Sequence, residues 1–463
     1  MIFDDILEKL ESDKKILDFR FSKSHIPIYL VARVNLLQSL INVEFNLSNP
    51  HVQPNKKTIK EILHYIYNTL KSNLFFAPKK DIYIFSSGVV NRFEDGQYTN
   101  WLYDDLNSLY PHQTQIIESS MKRSYLLPKK ETIYFRDLID IFIELIAKCI
   151  PIERKDKENI REFLEYFKNH SDNAVSDKTI KDIENILRKT SIKLEISIVL
   201  YKWFLKYKKP KMIIVEDGHY GGYSYLIKIA KELGITIAEY QHGYIGPSHP
   251  AYNYHENIFK QVSPFLPEIL LTHGEYWSNR VRVPAKKIVI GFPNLTQKLS
   301  QILPQNTPKK RILFISGGTV YTQLYNLISS ITNDLHTLGL EIMLRPHPSE
   351  KPEIVERYGR LLNKNVLIDT QNLYESLSLT DIIVSMEVST VLFESIHFTK
   401  KIYLMKTPYT VYYEPESIFI NFENTGELLL NIQNNVIIDS NIDYFWERKW
   451  KKNYQNFINN IFK

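Results

Sequence analysis

Short apolar runs alternate with longer amphipathic segments over the second half of this chain. The segment KMIIVEDGHYGGYSYLIKIAKELGITIAEYQHG, which starts at Lys211, predicts a strand, a loop, a helix ending at Gly234, a second strand and a second loop. Strands joined by a helical crossover lie parallel in one sheet, so the loops after Val215 and Glu239 should emerge at the same edge. ILLTHG and KIVIGFPN predict two further short strands.

A second series of strand and helix patterns follows residues 293–310, a polar, proline-containing stretch that we interpret as a linker. RILFIS, EIML, NVLID, DIIVS and KIYLM have the length and character of buried strands, and GGT, RPHP and MEVST stand at three of their ends. We predict an α/β architecture in which two Rossmann-like, doubly wound domains face a cleft.

The predicted boundaries follow from these changes of pattern. An N-terminal domain would span 1–292, with a helical insertion over about 90–200, where charged helical stretches dominate. The C-terminal, nucleotide-binding domain would span 311–440. Residues 441–463 would form a terminal helix that packs back on the body.

Composition limits the class of protein. The 463 residues are 44% hydrophobic and include a single cysteine, Cys149, so we expect folded domains without an intrachain disulfide. No run approaches the ~20 apolar residues of a membrane span, and the N-terminus has no signal-peptide pattern. These features favour the cytoplasm, at most the inner face of the cell membrane.

The charge pattern argues against nucleic acid as a partner. A net charge of +6 is modest, and the basic residues are interspersed with acidic ones. The C-terminal tail is an exception, because Trp446, Trp450 and Phe457 alternate there with basic residues. We favour packing of these aromatic residues on the body over the alternative, a peripheral contact with a membrane surface.

Three polar motifs follow predicted strands of the C-terminal domain and could together hold a nucleotide. Glycine-rich backbone N–H groups, a histidine held between prolines, and hydroxyls at a helix start each suit phosphate, while a glutamate in that helix could accept from ribose hydroxyls. Alone, each motif is equally explained as a turn, a cap or a solvated helix face. The candidate donor-binding residues are Ser316, Gly317, Gly318, Thr319, Arg345, His347, Pro348, Ser389, Thr390 and Glu394.

Two motifs of the N-terminal domain are candidates for the chemistry. Consecutive carboxylates at the end of a buried strand, Glu216 and Asp217, suit a general base that faces a cleft, although such residues also form ordinary turns. His242, after the next strand, is a second candidate base. Aromatic and hydrogen-bonding residues nearby suit a sugar acceptor, and the candidates are Gln241, Gly243, Tyr252 and Tyr254.

Other familiar chemistries leave no trace in the sequence. It contains no GxSxG, HExxH, Walker or GxGxxG motif, and no Asp-x-Asp pair after a strand. We therefore expect no metal and no cofactor, with a nucleotide-sugar as substrate whose charge is balanced by His347, backbone N–H groups and helix termini.

The EDG, HP and Ser/Thr motifs, in this order over about residues 211–405, resemble bacterial surface-polysaccharide glycosyltransferases of the GT-B fold, particularly sialyltransferase and polysialyltransferase-like enzymes. The resemblance implies that Asp217 or Glu216 is the base, that His347 contacts the donor phosphate, and that Ser389 and Thr390 help to hold CMP. The QHG motif and the tyrosines after it look more like capsule and lipopolysaccharide transferases with other donors.

The resulting hypothesis is an inverting, metal-independent transfer of a sugar, first of all a nonulosonic acid from a CMP-activated donor, to an oligosaccharide or glycolipid acceptor in capsule or lipopolysaccharide synthesis. A UDP- or CDP-linked donor is an alternative, as is a nucleotide-sugar epimerase of the same fold. A noncatalytic binding subunit of polysaccharide assembly is the alternative from another class.

Overall fold

The structure is a computed structural model that describes residues 3–47, 57–172, 174–302 and 310–461. Within these ranges the strands are β1 (Ile82–Ser87), β2 (Asn91–Glu94), β3 (Gln97–Asn100), β4 (Thr114–Ser119), β5 (Ile133–Phe135), β6 (Met212–Val215), β7 (Thr236–Tyr240), β8 (Ile269–Thr272), β9 (Lys286–Val289), β10 (Arg311–Ile315), β11 (Glu341–Arg345), β12 (Val366–Ile368), β13 (Ile382–Ser385), β14 (Lys401–Met405) and β15 (Ile420–Phe422).

The α-helices of the same ranges surround two sheets. They are α1 (Phe3–Glu11), α2 (Ile28–Glu44), α3 (Ile59–Lys71), α4 (Asp104–Leu109), α5 (Asp137–Cys149), α6 (Arg154–His170), α7 (Asp177–Lys208), α8 (Ser224–Glu232), α9 (Phe259–Val262), α10 (Glu275–Asn279), α11 (Pro293–Gln301), α12 (Tyr321–Thr337), α13 (Ile354–Leu362), α14 (Leu373–Ser378), α15 (Thr390–Ser395), α16 (Pro408–Tyr413), α17 (Thr425–Gln433), α18 (Ile442–Phe445) and α19 (Trp450–Ile461).

The two sheets are parallel throughout and confirm the predicted pair of Rossmann-like domains. The first has seven strands in the order β5-β4-β1-β6-β7-β8-β9, and the second has six in the order β12-β11-β10-β13-β14-β15. Their central strands are buried along their whole length, which is why they appear in the sequence as continuous apolar runs and not as alternating patterns.

The region 90–200 is not a purely helical insertion. It contains the β2–β3 hairpin, and β4 and β5 extend the first sheet beyond β1. The helical part, α5 to α7, begins only at Asp137. The strands of this region are short and separated by polar connections, so the charged helices that follow them dominate the local pattern.

Helices cover both faces of the first sheet, and one of them comes from the far end of the chain. Tyr83 and Phe85 of β1 pack with α5, α7 and α8 on one face. Ile82 and Ile84 point to the other face, where α4 and the terminal helix α19 lie. The alternation of side chains along β1 thus gives each face its own core.

The terminal segment packs back on the body. Trp446, Trp450 and Phe457 are each at most 5% exposed, and Trp446 donates its ring N–H to the carbonyl of Phe393 at 3.0 Å. These rings are therefore not accessible to a membrane surface. Within the described ranges, no helix combines the length and the apolar character needed to cross a membrane.

The first part of the stretch interpreted as a linker is an α-helix. Residues 293–301 form α11, whose Pro293 and Leu295 are buried. Proline at the first helical position fits a helix start, because its missing N–H would have no partner there. Residues 303–309 lie outside the described residues.

Candidate functional site

Asp217 and His242 form the centre of the site on the first domain. They follow β6 and β7, neighbouring strands of the sheet, and Nε2 of His242 lies 3.1 Å from Oδ1 of Asp217. The Asp217 side chain is 45% exposed and that of His242 is 24% exposed. Burial raises the pKa of Asp217, and Glu239 acts in the same direction while His242 opposes the rise. The pair is reachable by a ligand, and its carboxylate is a stronger base than an isolated aspartate.

Glu216 has a different position from its neighbour. It is 4% exposed and accepts hydrogen bonds from the Ser86 hydroxyl at 3.0 Å and from the backbone N–H and hydroxyl of Ser87 at 2.9 and 2.8 Å. Burial raises the pKa of Glu216, as does the charge of Asp217. Both carboxylate oxygens of Glu216 are thus engaged at the end of β1, and Asp217 is the accessible one of the two candidate carboxylates.

A buried network supports His242 from behind. The Tyr252 hydroxyl lies 3.5 Å from Nδ1 of His242 and donates to Oε1 of Glu239 at 2.7 Å. The other oxygen of Glu239 accepts from the backbone N–H of His219 at 2.9 Å and contacts Nδ1 of the same residue. Side chains in a connected network of this kind hold one another in fixed orientations.

Three of the predicted acceptor-binding residues belong to this interior. Tyr252 and Tyr254 are at most 1% exposed, and the Tyr254 hydroxyl donates to the carbonyl of His219 at 2.8 Å. Gln241 is fully buried and bridges the Gly243 carbonyl and the His273 N–H. These three side chains are thus enclosed by protein and do not face the cleft. Gly243 alone of the four predicted residues lies at the cleft.

Backbone geometry at the Asp217 loop depends on two glycines. Asp217 itself has φ 58°, in the left-handed region. A Cβ on Gly218 would meet Pro267 at 2.5 Å and Val215 at 2.7 Å, and one on Gly221, which has φ 86°, would lie 2.2 Å from the carbonyl of Leu30. The loop is therefore pressed against its surroundings, which fixes where the Asp217 carboxylate points.

On the second domain, the GGT loop after β10 binds a carboxylate of the protein itself. The N–H of Gly317 donates to Oε2 of Glu387 at 2.8 Å, the N–H of Thr319 donates to Oε1 at 3.2 Å, and the Thr319 hydroxyl also contacts Oε1. Burial raises the pKa of Glu387, and these donors oppose the rise. Ser316 is buried and accepts from the N–H of Gly318 at 3.1 Å. The predicted phosphate-binding N–H groups are thus already occupied.

The RPHP loop has the geometry of a capping turn. Nδ1 of His347 accepts from the N–H of Ser349 at 3.2 Å and lies 2.7 Å from its hydroxyl, while the N–H of His347 donates to Glu350. Pro348 then begins a short 3-10 helix. Since His347 is exposed and its Nδ1 is engaged, Nε2 is the ring nitrogen that can meet a ligand.

Arg345 of the same loop is a structural residue. It donates to Oδ2 of Asp369 at 2.6 Å and to the carbonyl of Gln371 at 3.2 Å. The Asp369 side chain is fully buried, so its charge requires this partner. The prediction that Arg345 binds the donor is therefore not supported by its contacts, which join β11 to the loop after β12.

The third motif lies directly opposite the first domain. Ser389 precedes α15, its side chain caps no backbone N–H, and its buried Oγ has no hydrogen-bond partner among the described residues. A Cβ placed on Gly243 would lie 3.9 Å from Oγ1 of Thr390. The QHG loop of one sheet and the Ser/Thr motif of the other therefore face each other across the cleft.

Glu394 lies deeper in the same cleft wall. It is 5% exposed, and burial raises its pKa, while Arg92 of the β2–β3 hairpin and the Tyr374 hydroxyl oppose the rise. Arg92 in turn lies over the Trp101 ring, 5.2 Å from its centroid. The charge of Arg92, from the other domain, thus acts on a buried carboxylate without an ion pair within 4 Å in the described ranges. The sequence interpretation of Glu394 as a ribose ligand did not anticipate this influence.

Two cavities lie at opposite edges of the sheets, one near these loops and one far from them. A largely apolar cavity of about 390 Å³ lies between the end of α2 and the carboxyl edge of the second sheet, where Phe45, Val320, Met386 and Tyr409 line it. A larger one of about 710 Å³ lies at the amino ends of β6 to β9, beside α19. Ligands of open parallel sheets bind at the carboxyl edge, so the smaller cavity is the relevant one. Among the residues that the structure describes, no group of three or more histidine, cysteine, aspartate or glutamate side chains could hold a metal ion.

The chain matches no protein-family model and no curated protein. Solved structures with a similar chain fold include the UDP-GlcNAc 2-epimerase from Methanocaldococcus jannaschii, with 11% identity and a TM-score of 0.46 over 82% of this chain and 99% of that one. MurG from Acinetobacter baumannii shares 12% identity, with a TM-score of 0.42 over 82% and 99% of the two chains.

A third example is the UDP-forming α,α-trehalose-phosphate synthase from Burkholderia vietnamiensis. It shares 10% identity, with a TM-score of 0.44 over 83% of this chain and 98% of that one. At this level of similarity, none of the three assigns a substrate or a catalytic residue to this chain.

Two residues of the site, Glu387 and Glu239, carried a signal that the sequence interpretation did not use. Glu387 stands inside the MEVST motif, and Glu239 interrupts an otherwise apolar strand, where an unpaired charge would be costly. Both are acidic residues in or next to a buried strand, so each carboxylate needs hydrogen-bond donors within the protein. Arg92 gave no such signal, because only the folding of the hairpin places it against the other domain.

Proposed function

We propose that this protein transfers a sugar from a nucleotide-activated donor to a glycan acceptor, with inversion at the anomeric carbon and with Asp217 as the general base. The observation that carries the proposal is the Asp217–His242 pair. It is accessible at the carboxyl edge of the first sheet, and the loop that holds His242 faces the Ser/Thr motif of the second sheet.

The contacts of the three candidate bases favour Asp217. Glu216 has both oxygens engaged by serines, and His242 has Nε2 at Asp217 and Nδ1 near Tyr252. Asp217 is the most exposed of the three and has a second oxygen that can meet an acceptor hydroxyl. Its raised pKa brings its proton affinity closer to what a base needs near neutral pH.

In the proposed reaction, the Asp217 carboxylate takes the proton of an acceptor hydroxyl as its oxygen attacks the anomeric carbon. The bond between that carbon and the phosphate oxygen breaks, and the nucleotide leaves with the electron pair. Nε2 of His347, the Ser389 and Thr390 hydroxyls and the backbone at the start of α15 lie on the second domain, where they can stabilise the departing phosphate.

The donor that we propose first is a CMP-activated nonulosonic acid, and the pathway is capsule or lipopolysaccharide synthesis at the inner face of a bacterial membrane. The motif resemblance supports this choice of donor, and the apolar cavity lined by Phe45, Val320, Met386 and Tyr409 has a volume in the range of small-ligand sites. UDP- and CDP-linked donors are the alternatives.

The test is a panel of CMP-, CDP-, UDP- and GDP-activated sugars, incubated with and without a mixture of oligosaccharide acceptors and analysed by mass spectrometry. Acceptor-dependent formation of a glycosylated product is the expected result. Conversion of a donor to its epimer without acceptor would replace the proposal with an epimerase. Absence of any nucleotide-induced thermal shift would favour a noncatalytic subunit.

A further inference from the structure

The glycine-rich loop after β10 carries an internal anion where a phosphate would be expected. Gly317 and Thr319 present their N–H groups to the two oxygens of Glu387, at 2.8 and 3.2 Å, and the Thr319 hydroxyl adds a third contact. Successive N–H groups at the end of a parallel strand form a concave site for anions. In this protein the anion is a side chain that is 5% exposed.

The fit between this loop and Glu387 is close on both sides. A Cβ on Gly317 would lie 2.6 Å from the carboxyl carbon of Glu387, so no other residue could occupy this position without moving the carboxylate. The Ser385 hydroxyl accepts from the N–H of Glu387 at 3.2 Å and lies 2.9 Å from its carbonyl and 3.1 Å from that of Ile315. Glu387 is thus held by its backbone as well as by its side chain.

This arrangement has a consequence for the phosphates of a donor. A diphosphate that entered the loop would find the N–H donors occupied and would meet a negative charge of the same sign. A single phosphate needs only the neighbouring groups, which are Nε2 of His347 and the hydroxyls of Ser389 and Thr390. The Cβ position of Gly318 lies 3.5 Å from Cβ of His347, so the two loops are adjacent.

We propose that Glu387 selects the donor class: it admits sugars activated by a nucleoside monophosphate and excludes those activated by a nucleoside diphosphate. This inference rests on the proposed function, since it assumes that the second domain holds the donor nucleotide. It goes beyond it by naming one buried carboxylate as the residue that discriminates between the two kinds of donor. Rejection by an unfavourable contact is a general route to specificity.

The experiment is isothermal calorimetry with CMP, CDP, UMP, UDP, GMP and GDP on the full chain. In the wild type we expect, for whichever base binds, a monophosphate preferred over its diphosphate by about tenfold or more. Glu387→Gln keeps the shape of the side chain and removes its charge, so the preference should fall toward one. Glu341→Gln makes the same change at the amino end of β11, on an exposed side chain, and should leave the preference unchanged.

The outcomes separate this inference from the proposed function. A wild type that binds diphosphates as tightly as monophosphates would overturn the role of Glu387, and so would a Glu387→Gln variant that keeps the wild-type preference. If the variant does not fold, the wild-type preference decides alone. No binding of any nucleotide would overturn both proposals, whereas a monophosphate preference in a protein without acceptor-dependent transfer would leave the Glu387 assignment standing and remove the proposed activity.

Discussion

Nε2 of His242 lies 3.1 Å from Oδ1 of Asp217, and the two residues belong to loops that follow adjacent parallel strands. The sheet, and not the sequence between them, brings the two side chains together. Tyr252 and Glu239 form a buried network behind His242. This network holds His242 in a fixed orientation beside the exposed Asp217 carboxylate. This relationship underlies the first two predictions.

Asp217→Asn should lower transfer by about a hundredfold or more, because general-base catalysis contributes about that much, and should leave nucleotide affinity within about twofold. Asparagine also tolerates the left-handed backbone that Asp217 adopts, so the loop should keep its shape. Initial rates with the best donor and calorimetry with its nucleotide measure the two quantities. Asp95→Asn, an exposed left-handed aspartate of the β2–β3 turn, is the matched control, and an active Asp217→Asn enzyme would remove the assignment.

His242→Gln should move the acidic limb of the pH profile to higher pH. The active form has Asp217 deprotonated, so activity is lost as the pH falls through the Asp217 pKa. Burial raises that pKa and His242 lowers it, so loss of the imidazole raises it further. The profile of kcat/KM against pH measures the shift. An unchanged limb would contradict the pairing, and His255→Gln, whose partner is Glu8, is the control.

His347→Ala should weaken nucleotide binding by about tenfold, the size expected for loss of one charge-assisted hydrogen bond to phosphate. Ser389→Ala should have a smaller effect in the same direction, since a neutral hydroxyl contributes less. Calorimetry with the donor nucleotide measures both. His336→Ala removes an imidazole from the exposed end of α12 in the same domain and should leave the affinity unchanged. Equal affinities for His347→Ala and wild type would rule out a phosphate contact.

Arg33→Met should lower the free energy of unfolding by about 3 kcal/mol or more, because it strands a buried carboxylate. Arg33 and Glu11 are both fully buried, with 2.6 Å between Nε and Oε1, and the guanidinium lies 3.8 Å from the centre of the Tyr254 ring. Arg188→Ala, which breaks a half-exposed pair with Glu184 on one helix, should cost well under 1 kcal/mol.

Chemical denaturation followed by circular dichroism measures both changes. Replacing Glu11 with leucine as well should recover much of the loss in Arg33→Met, because the unpaired charge is then gone. If Arg33→Met alone left the free energy of unfolding unchanged, the Glu11 carboxylate would have found another partner.

The sequence was informative where a residue's role depends on its own strand. Apolar runs of strand length between helices predicted two parallel sheets, and the position of each polar motif after a strand placed Asp217, His242, His347 and Ser389 at carboxyl edges. It was less informative over 90–135, where the strands are short and separated by polar connections. Two of them, β4 and β5, extend the first sheet beyond β1, and β1 itself does not belong to the clear series of alternating strands and helices in the second half of the chain.

Side-chain partners were decided only by the tertiary structure. Glu216 and Asp217 are neighbours in sequence, yet one turns inward to Ser86 and Ser87 while the other faces His242. Likewise, the N–H groups of the GGT loop donate to Glu387 and do not face open space. Local pattern reports which strand a residue follows, because periodicity reflects burial along one element. Which atoms it meets depends on packing between elements distant in the chain, and that depends on the whole fold.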